Sequence, residues 1–309
     1  MMIKLPPRTS PTRVSLGIIP RGYKNLERNI NYLSNIILMT RKLVKKYYAE
    51  YGIKEWNRLA KDPYHRLEFD TTMYFLKKHL PKKSLILDAG GGPGRYTIKL
   101  AKMGYDVILF DLTQELLEIA KRRIKKEKVQ NKVKQIIQGS IDDLSMIEND
   151  AFDVVICLGG VLSHIVNKKQ REKAISELIR VAKKNSQIFV SVIGRLAVCI
   201  NSINYLWPEM LEAPDVYKKF TIKGDYLGGY GFAPAHFYSA EELKKEFEGK
   251  TKFLEMVGLE GIFSTHPRRY NRVYKLKKYN KILWETHLKT CTHPSIVGIS
   301  EHFMIICKK

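Results

Sequence analysis

The residues with the clearest chemical potential form a glycine-rich turn directly after a short apolar run. The run occupies residues 85–87, and the pattern Asp88-x-Gly90-x-Gly92-x-Gly94 follows it. A buried parallel strand of this kind places the turn at the carboxyl edge of an open α/β sheet, where ligands bind. Glycine lets the backbone turn tightly and approach a ligand closely, because it has no Cβ. The pattern predicts a nucleotide-binding turn; the alternative is a tight turn that binds nothing.

A second apolar run ends in another carboxylate. Residues 106–110 precede Asp111, which lies 21 residues after Gly90. A carboxylate at such a strand end can accept hydrogen bonds from both hydroxyls of a ribose. Leu112 offers an apolar face for an adenine ring, and Thr113 can cap the following helix. We predict the ribose role for Asp111 in preference to a carboxylate that only satisfies backbone donors at a helix start.

The glycine turn does not fit the dinucleotide pattern G-x-G-x-x-G, because Arg95 stands where its last glycine would be. It resembles motif I of the class I S-adenosylmethionine-dependent methyltransferases, (D/E)-x-G-x-G-x-G. This resemblance implies S-adenosylmethionine as cofactor and an α/β fold, a doubly wound, mostly parallel seven-stranded sheet with helical insertions. The cofactor-binding residues that it predicts are Asp88, Gly90, Gly91, Gly92, Gly94, Asp111, Leu112, Ser140, Ile141 and Leu158.

The third strand of this pattern covers residues 133–137 and leads into Ser140 and Ile141. Many methyltransferases carry an aspartate at the position of Ser140, where it pairs with the adenine amino group. We expect the serine hydroxyl or a backbone group to replace it, with Ile141 packed on the ring. Asp142 and Asp143 follow without further hard ligands nearby in sequence, so we predict solvated turn residues and no metal site.

The fourth strand resembles the motif IV of the same superfamily. It covers residues 152–158 and opens into a small-residue loop that ends in His164. Leu158, at the strand end, is expected beside the methionine part of the cofactor. His164 has an ordinary pKa suited to a general base, and a histidine that only packs or caps is an equal alternative. The Asn-Pro-Pro-Tyr and Asp-Pro-Pro-Tyr signatures of base amino methylation are absent from the sequence, as is a Pro-Cys nucleophile pair.

The rest of the chain predicts a domain with additions. Residues 1–38 are predicted as a partly disordered extension, with Met39 as a candidate start, and 39–309 as the methyltransferase domain. Insertions at 195–236 and 259–298 are expected to lie over the strand ends and shape an acceptor pocket. The predicted acceptor contacts are Arg195, His236 and Tyr238. A last apolar run at 302–307 is predicted as an antiparallel strand at the sheet edge.

Two short segments resemble a little-characterised branch of the superfamily. They are Glu55-Trp56-Asn57-Arg58-Leu59 and Ser300-Glu301-His302, and they accompany the Gly-Gly-Gly-Pro-Gly-Arg turn. Segments before motif I commonly fold over the cofactor in this superfamily, so Tyr47, Tyr48, Tyr51 or Trp56 are candidate cofactor contacts. The alternative for such an aromatic stripe is ordinary core.

Composition limits the classes of partner. A formal charge of +23 and a pI near 9.7 suggest RNA, or else a lysine-rich surface without a specific partner. The four widely spaced cysteines suggest reduced thiols, and the absence of a membrane span or signal peptide suggests a cytoplasmic location. We predict a methyltransferase that transfers methyl to an O or N atom of a small molecule, with an RNA methyltransferase second and an NAD-dependent or non-catalytic cofactor-binding protein third. The sequence carries no signal for oligomeric state.

Overall fold

The computed structural model describes residues 26–205, 207–228 and 231–309, without the side chains of residues 26–37 and 209. The first 25 residues of the predicted N-terminal extension lie outside the described residues. The extension's predicted end at residue 38 falls inside one continuous helix, Leu26–Tyr51. The division into an extension and a domain therefore stays a prediction.

Seven strands form one sheet in the order β3-β2-β1-β4-β5-β9-β8, and β6 and β7 form a separate pair. This confirms the predicted mostly parallel, seven-stranded α/β sheet. The strands are β1 Leu85–Ala89, β2 Asp106–Asp111, β3 Val133–Gln138, β4 Phe152–Cys157, β5 Ala182–Ile193, β6 Asp225–Tyr226, β7 Ala235–His236, β8 Lys252–Gly258 and β9 His302–Lys308.

Helices cover both faces of the sheet and build both insertions. They are α1 Leu26–Tyr51, α2 Ile53–Arg58, α3 Pro63–His79, α4 Arg95–Lys102, α5 Gln114–Lys126, α6 Lys168–Val181, α7 Arg195–Tyr205, α8 Trp207–Glu212, α9 Pro214–Lys223, α10 Ala240–Phe247, α11 Pro267–Tyr274, α12 Asn280–Thr290 and α13 Pro294–Ile299. Within the part of the chain that the structure describes, no helix is both long and apolar enough to cross a membrane.

The central strands are continuous apolar runs because helices cover them on both faces. On one face, Leu87 and Val155 pack with Ala174 and Leu178 of α6 and Leu243 of α10. On the other face, a second cluster joins the sheet to α3, α4 and α12; its members include Phe75, Leu76, Ile86, Leu100, Val154 and Met304. The two clusters fix β1 and β4 in the middle of the domain and so fix the turns that follow them.

The parallel register brings four strand ends to one edge of the sheet. Ala89 of β1 pairs with Phe110 of β2, and Asp111 pairs with Gln138 of β3. On the other side, Asp88 pairs with Ile156 of β4. The polar residues after these strands therefore lie together, as expected for the ligand-binding edge of an open α/β sheet.

The prediction for the last strand was right about direction and wrong about position. β9 is antiparallel to β5, but it lies between β5 and β8, and β8 forms the edge. Residues 303–307 are all buried, so this strand needs a partner on each side. β8 begins with the exposed residues Lys252 and Phe253, which suits an edge strand.

We expect Gly194→Ala to destabilise the protein by about 1–3 kcal/mol. Gly194 ends β5, and a Cβ there would lie well inside the van der Waals distance of the Ser300 carbonyl oxygen. Backbone of this kind cannot move aside without disturbing β9. Gly298→Ala in α13 is the control, since a Cβ meets nothing within 4 Å there and helix propensity favours alanine by about 1 kcal/mol. Equal unfolding midpoints in denaturant for both variants would contradict this account.

Candidate functional site

Two adjoining cavities open at the carboxyl edge of the sheet. The first cavity lies over the glycine turn, and its wall includes Gly90, Asp111, Ser140 and Leu158. The second cavity is larger, about 830 Å³ against about 140 Å³. It lies between α1, α2, α3 and the first insertion, and Glu260 is the residue that the second insertion contributes to its lining. Tyr48, Glu55, Arg58 and Gly159 line both cavities, so the two spaces share a boundary.

The glycine turn is held against the end of β2. The amide groups of Gly90 and Gly91 donate to the Phe110 carbonyl oxygen at 2.6 and 3.2 Å. Gly90 has φ +82°, where side chains are strained, and a Cβ on it would collide with Val161. A Cβ on Gly91 would lie 2.5 Å from Asp88 Oδ2. Both positions therefore require glycine for the turn to adopt this shape.

Asp111 lines the first cavity with a buried carboxylate. Its Oδ2 accepts from the Gly92 amide at 2.8 Å and its Oδ1 from the Thr113 amide at 2.7 Å. Burial raises its pKa to about 6, against the effect of these backbone bonds. Each carboxylate oxygen has a second acceptor site, so the group can hold the turn and still accept from a ligand. Thr113 is at the helix N-cap, but its side chain makes no cap hydrogen bond, so the predicted side-chain cap was wrong.

Two of the predicted cofactor-binding residues lie behind the wall of the first cavity. Asp88 is 1 % exposed and accepts from the Thr97 hydroxyl at 2.5 Å, and burial raises its pKa to about 7. Gly94 has φ +82° and begins α4 next to Ala120. Neither lines the first cavity. Their position supports the turn from beneath and does not bring them to a ligand.

The other predicted cofactor-binding residues meet on the wall of the first cavity. Leu112, Ser140, Ile141 and Leu158 all line it together with the three glycines and Asp111. Ile141 and Leu158 are buried, so their part of the wall is apolar. Asp142 corrects a prediction, because it is buried and not solvated. Its carboxylate pairs with Arg41 of α1 at 2.6 Å and accepts from the Ser140 hydroxyl.

His164 lies on the boundary side of the first cavity with both ring nitrogens paired. Nδ1 lies 2.9 Å from the Pro234 carbonyl oxygen and Nε2 lies 2.7 Å from the Tyr48 hydroxyl. A carbonyl only accepts, so Nδ1 carries the proton and Nε2 accepts from Tyr48. Burial lowers the pKa of His164 to about 4, which keeps the ring neutral. A general base at this position would have to act through Tyr48 or after Tyr48 moves.

Helix α1 covers the site and supplies residues that the motif analysis did not single out. Thr40, Arg41 and Val44 line the first cavity beside Tyr48. Of the aromatic candidates, Tyr48 reaches both cavities, whereas Tyr47 and Tyr51 line the second cavity. The fourth candidate, Trp56, instead stacks beneath the guanidinium groups of Arg95 and Arg123 and packs against the core.

The second cavity combines an aromatic wall with a polar floor. Its wall includes Tyr47, Tyr217, Phe220 and Phe232. The floor comes from the two short segments that the sequence marked, Glu55 to Leu59 and Ser300 to His302, together with Glu68 and Glu260. Floor residues that line the cavity are Glu55, Arg58, Glu68, Glu260, Glu301 and His302. The sequence analysis did not predict this group, because its members come from separate segments: α2, α3, the loop after β8 and the start of β9.

The three predicted acceptor contacts do not line either cavity. Arg195 pairs with Glu242, whose other oxygen lies 2.9 Å from Nε2 of His236. Tyr238 is fully buried, with its hydroxyl 3.1 Å from Glu246. These side chains form an internal ionic network that fastens the first insertion to α10. The geometry therefore gives them a structural place and does not support acceptor contact.

The basic cluster at Arg268, Arg269 and Arg272 lies outside both cavities as well. Arg268 stacks on Tyr205, and α11 packs against α3. None of the three arginines lines either cavity. The structure thus brings no part of this cluster to the site.

We expect His164 to stay neutral, protonated on Nδ1, throughout the range from pH 8 down to about pH 5, because burial holds its pKa near 4. Nitrogen NMR of selectively labelled protein would report the tautomer and the titration directly. Tyr48→Phe, which removes the donor to Nε2, should leave Nδ1 bonded to Pro234 and shift the Nε2 resonance. Titration of His164 near pH 6.5 would contradict the buried, paired geometry.

Comparison with known proteins gives the same domain. A family model described as a methyltransferase domain matches residues 86–185. The chain is 30 % identical over 142 residues to a glycine/sarcosine N-methyltransferase of Parasynechococcus marenigrum, covering 45 % of this chain and 48 % of that protein. It is 28 % identical over 174 residues to the tRNA 5-carboxymethoxyuridine methyltransferase of Escherichia coli, covering 55 % of this chain and 63 % of that protein. The chain thus spans about half the length of these curated relatives.

Solved structures match over more of the chain. An S-adenosylmethionine-dependent methyltransferase of Methanosarcina mazei aligns with a TM-score of 0.52 at 19 % identity, over 76 % of this chain and 96 % of that one. A putative S-adenosylmethionine-dependent methyltransferase of Listeria monocytogenes aligns with a TM-score of 0.52 at 17 % identity, over 79 % and 98 %. At these identities the likeness shows the fold.

Four observations therefore agree on a methyltransferase domain. They are the strand order, the glycine turn at the end of β1, Asp111 at the end of β2 and the match to the family model. Residues 86–185 match a methyltransferase domain, and the fold is the one seen in solved S-adenosylmethionine-dependent methyltransferases.

Proposed function

We propose that this protein is an S-adenosylmethionine-dependent methyltransferase whose acceptor is a small molecule bound in the second cavity. The observation that carries the proposal is the shared boundary between the two cavities. Tyr48, Glu55, Arg58 and Gly159 line both, so a molecule in the second cavity can reach the methyl group of a cofactor in the first. Two reactants held in this way react as if at very high local concentration.

The residues of the first cavity fit the cofactor. Asp111 can accept from the ribose hydroxyls with lone pairs that the backbone leaves free. Leu112 and Ile141 can enclose an adenine ring, and the collision that a Cβ at Gly90 would make shows how closely this backbone turn is packed. The cofactor, when bound, supplies a methyl group on a positively charged sulfur, which is a strong methyl donor.

The chain's own contribution is mostly positioning. Holding acceptor and donor in line can contribute roughly 7–11 kcal/mol to lowering the barrier. A general base adds about 10² to 10⁴ in rate, and only where the acceptor must lose a proton. His164 is neutral but both its nitrogens are paired. We therefore assign the Tyr48–His164 pair the role of ordering the boundary, with Tyr48 as the group that faces the acceptor.

The relatives act on both small molecules and RNA, as their names state. The charge of +23 is the observation that favours RNA as a second candidate. The second cavity favours a small acceptor, because aromatic residues and insertion helices enclose it and carboxylates form its floor. An RNA phosphate would meet repulsion there. We propose accordingly that the insertions at 195–236 and 259–298 serve as cover for a small-molecule pocket.

We expect Asp111→Asn to weaken S-adenosylhomocysteine binding at least tenfold at pH 7.5, because hydrogen bonds to a charged group are among the stronger ones. Calorimetric titration would measure this. Asp143→Asn is the matched control, since Asp143 is an exposed carboxylate on the neighbouring turn. Unchanged affinity in the Asp111 variant would overturn the ribose assignment.

The same carboxylate should make cofactor affinity depend on pH. Burial raises the pKa of Asp111 to about 6, and the ionised form is the better acceptor. Affinity should be full well above pH 6 and should fall by about tenfold from pH 8 to pH 5, as roughly nine tenths of the carboxylates become protonated. In Asp111→Asn this pH dependence should be lost, and a wild-type-like profile in that variant would contradict the assignment.

Methyl transfer from tritiated S-adenosylmethionine into an extract of the source cells tests the proposed acceptor class. We expect label in the small-molecule fraction. Label in RNA, removable by ribonuclease, would replace the proposal with the second candidate. A protein that binds S-adenosylhomocysteine yet transfers no label to any fraction would overturn catalysis and leave a cofactor-binding protein.

A further inference from the structure

The floor of the second cavity has a charge opposite to that of the protein as a whole. The chain carries +23, yet four carboxylates line this cavity, from Glu55, Glu68, Glu260 and Glu301. The interior cations that face them are the two side chains of Arg58 and His302. His65 also lines the cavity, and its Nδ1 lies 2.9 Å from a carboxylate oxygen of Asp62, outside the cavity lining. Lys54 and Lys61 also border the cavity, but both are exposed to solvent at its rim. The interior therefore has an excess of negative charge where an anionic acceptor would have to bind.

Two of these carboxylates are fully engaged by the two cations. Arg58 donates to Glu68 at 2.6 and 3.3 Å. His302 Nδ1 lies 2.8 Å from Glu260, and Glu68 and Glu260 together raise the pKa of His302 to about 9 although burial opposes this. Nδ1 thus carries a proton that Glu260 accepts. The Glu68, Glu260 and His302 group is an internal ion-pair network, and no ligand is needed to explain it.

The other two carboxylates each have one oxygen to spare. Glu55 accepts from Arg58 Nε through Oε1 at 3.0 Å, and Glu301 accepts from the Tyr64 hydroxyl through Oε2 at 2.6 Å. Among the described residues, Glu55 Oε2 and Glu301 Oε1 have no hydrogen-bond partner. Both residues line the second cavity, and Glu55 also lies on its boundary with the first. The two residues with a spare acceptor oxygen thus border the space where a methyl acceptor would bind.

Aromatic rings line the same cavity. Tyr47 stacks on Tyr51 with centroids 5.6 Å apart and meets Phe232 edge to face at 5.8 Å. Tyr217 and Phe220 continue this wall. Phe232 also lies 5.6 Å from the ring of His164, so the aromatic wall reaches the boundary between the cavities. Aromatic faces attract cations and also accommodate the apolar body of a ligand.

From this cavity we infer that the methyl acceptor is an amine with an apolar or aromatic body, bound with its nitrogen beside Glu55 and Glu301. The inference rests on the proposed function and names its substrate class. Three features of the cavity favour a cationic nitrogen over a carboxylate or phosphate. They are its boundary with the cofactor site, its aromatic wall and its two carboxylates with spare oxygens.

The reaction balances with groups already named. A bound ammonium gives one proton to the Glu55 carboxylate, which passes it to solvent. The nitrogen lone pair then forms the N–CH₃ bond while the S–CH₃ bond of the sulfonium donor breaks, and sulfur keeps the electron pair of that bond. The positive charge moves from sulfur to the methylated ammonium, which stays within the acidic floor until release.

The test uses sets of three compounds with one carbon skeleton and three end groups. One set is 2-phenylethylamine, 2-phenylethanol and phenylacetate, and a second is butylamine, butanol and butyrate. Each is titrated calorimetrically into the full chain saturated with S-adenosylhomocysteine, and each is then offered as acceptor of tritiated methyl from S-adenosylmethionine. We expect an amine to bind at least tenfold tighter than its alcohol and carboxylate partners and to be the compound that is labelled.

Isosteric variants test whether Glu55 and Glu301 cause the preference for amines. Glu301→Gln and Glu55→Gln retain an oxygen that can accept from Tyr64 and Arg58 but lose the charge, so amine affinity should fall about tenfold in each. In Glu301→Gln the affinity for S-adenosylhomocysteine should stay the same, because Glu301 lines only the second cavity. Glu118→Gln on the exposed side of α5 is the control and should change neither affinity. Thermal unfolding of each variant checks that the fold persists.

Three results would overturn the inference. They are alcohol or carboxylate binding that matches the amine, absence of amine binding in both sets, and unchanged amine affinity in both floor variants. The proposed function itself is tested by two other measurements, the titration with S-adenosylhomocysteine and methyl transfer to the cell extract. If the protein binds S-adenosylhomocysteine and methylates an alcohol, the proposed methyltransferase function stands and the inferred amine acceptor is overturned.

Discussion

The buried carboxylates at the ends of β1 and β2 are the constraint on which the site depends. Asp111 accepts from the amides of Gly92 and Thr113 and so joins the glycine turn to the start of α5. Asp88 lies under the turn, bonded to Thr97 of α4, in contact distance of any Cβ at position 91. Burial raises the pKa of both groups, to about 7 for Asp88 and about 6 for Asp111.

The raised pKa values have a consequence for stability. A carboxyl group whose pKa is higher in the folded state than in the unfolded chain binds its proton more readily when folded. Its contribution to the free energy of unfolding is therefore full at low pH and is lost as the pH rises through the folded pKa. For Asp88 and Asp111 that loss falls between about pH 4 and pH 7. The site keeps these carboxylates at a cost in stability near neutral pH, which is a common feature of functional sites.

Local patterns in the sequence were sufficient for the fold class and for most of the predicted residues that meet around the first cavity. Residues that follow one strand and open one helix lie within a few positions of each other, so Gly90, Asp111 and Ser140 could be placed at one sheet edge from the strand pattern alone. The acceptor side could not be placed in this way. Glu55, Glu68, Glu260 and His302 come from four distant segments, and a single sequence gives residue types but not their partners.

The same limit applies to the predicted acceptor contacts Arg195, His236 and Tyr238. Carboxylates of α10 that lie close in space engage these side chains, and a single sequence does not show that pairing. The last strand, β9, was predicted with the right direction but at the wrong position. It lies between β5 and β8, and the apolar run in the sequence did not indicate that both of its edges would be paired. In both cases the position depends on burial and pairing, which residue type alone does not show.

Net charge and local charge also have to be separated. The +23 charge lies largely on exposed lysines and arginines, such as Lys121 and Arg122 on α5, where solvent screens each one within a Debye length of about 8 Å at physiological salt. The carboxylates of the second cavity are buried or half-buried, so they act on a bound molecule with less screening. A basic surface and an acidic pocket are therefore compatible in one protein. In the proposed function the pocket contacts the acceptor and so sets the specificity, whereas the surface charge acts on the molecules that approach.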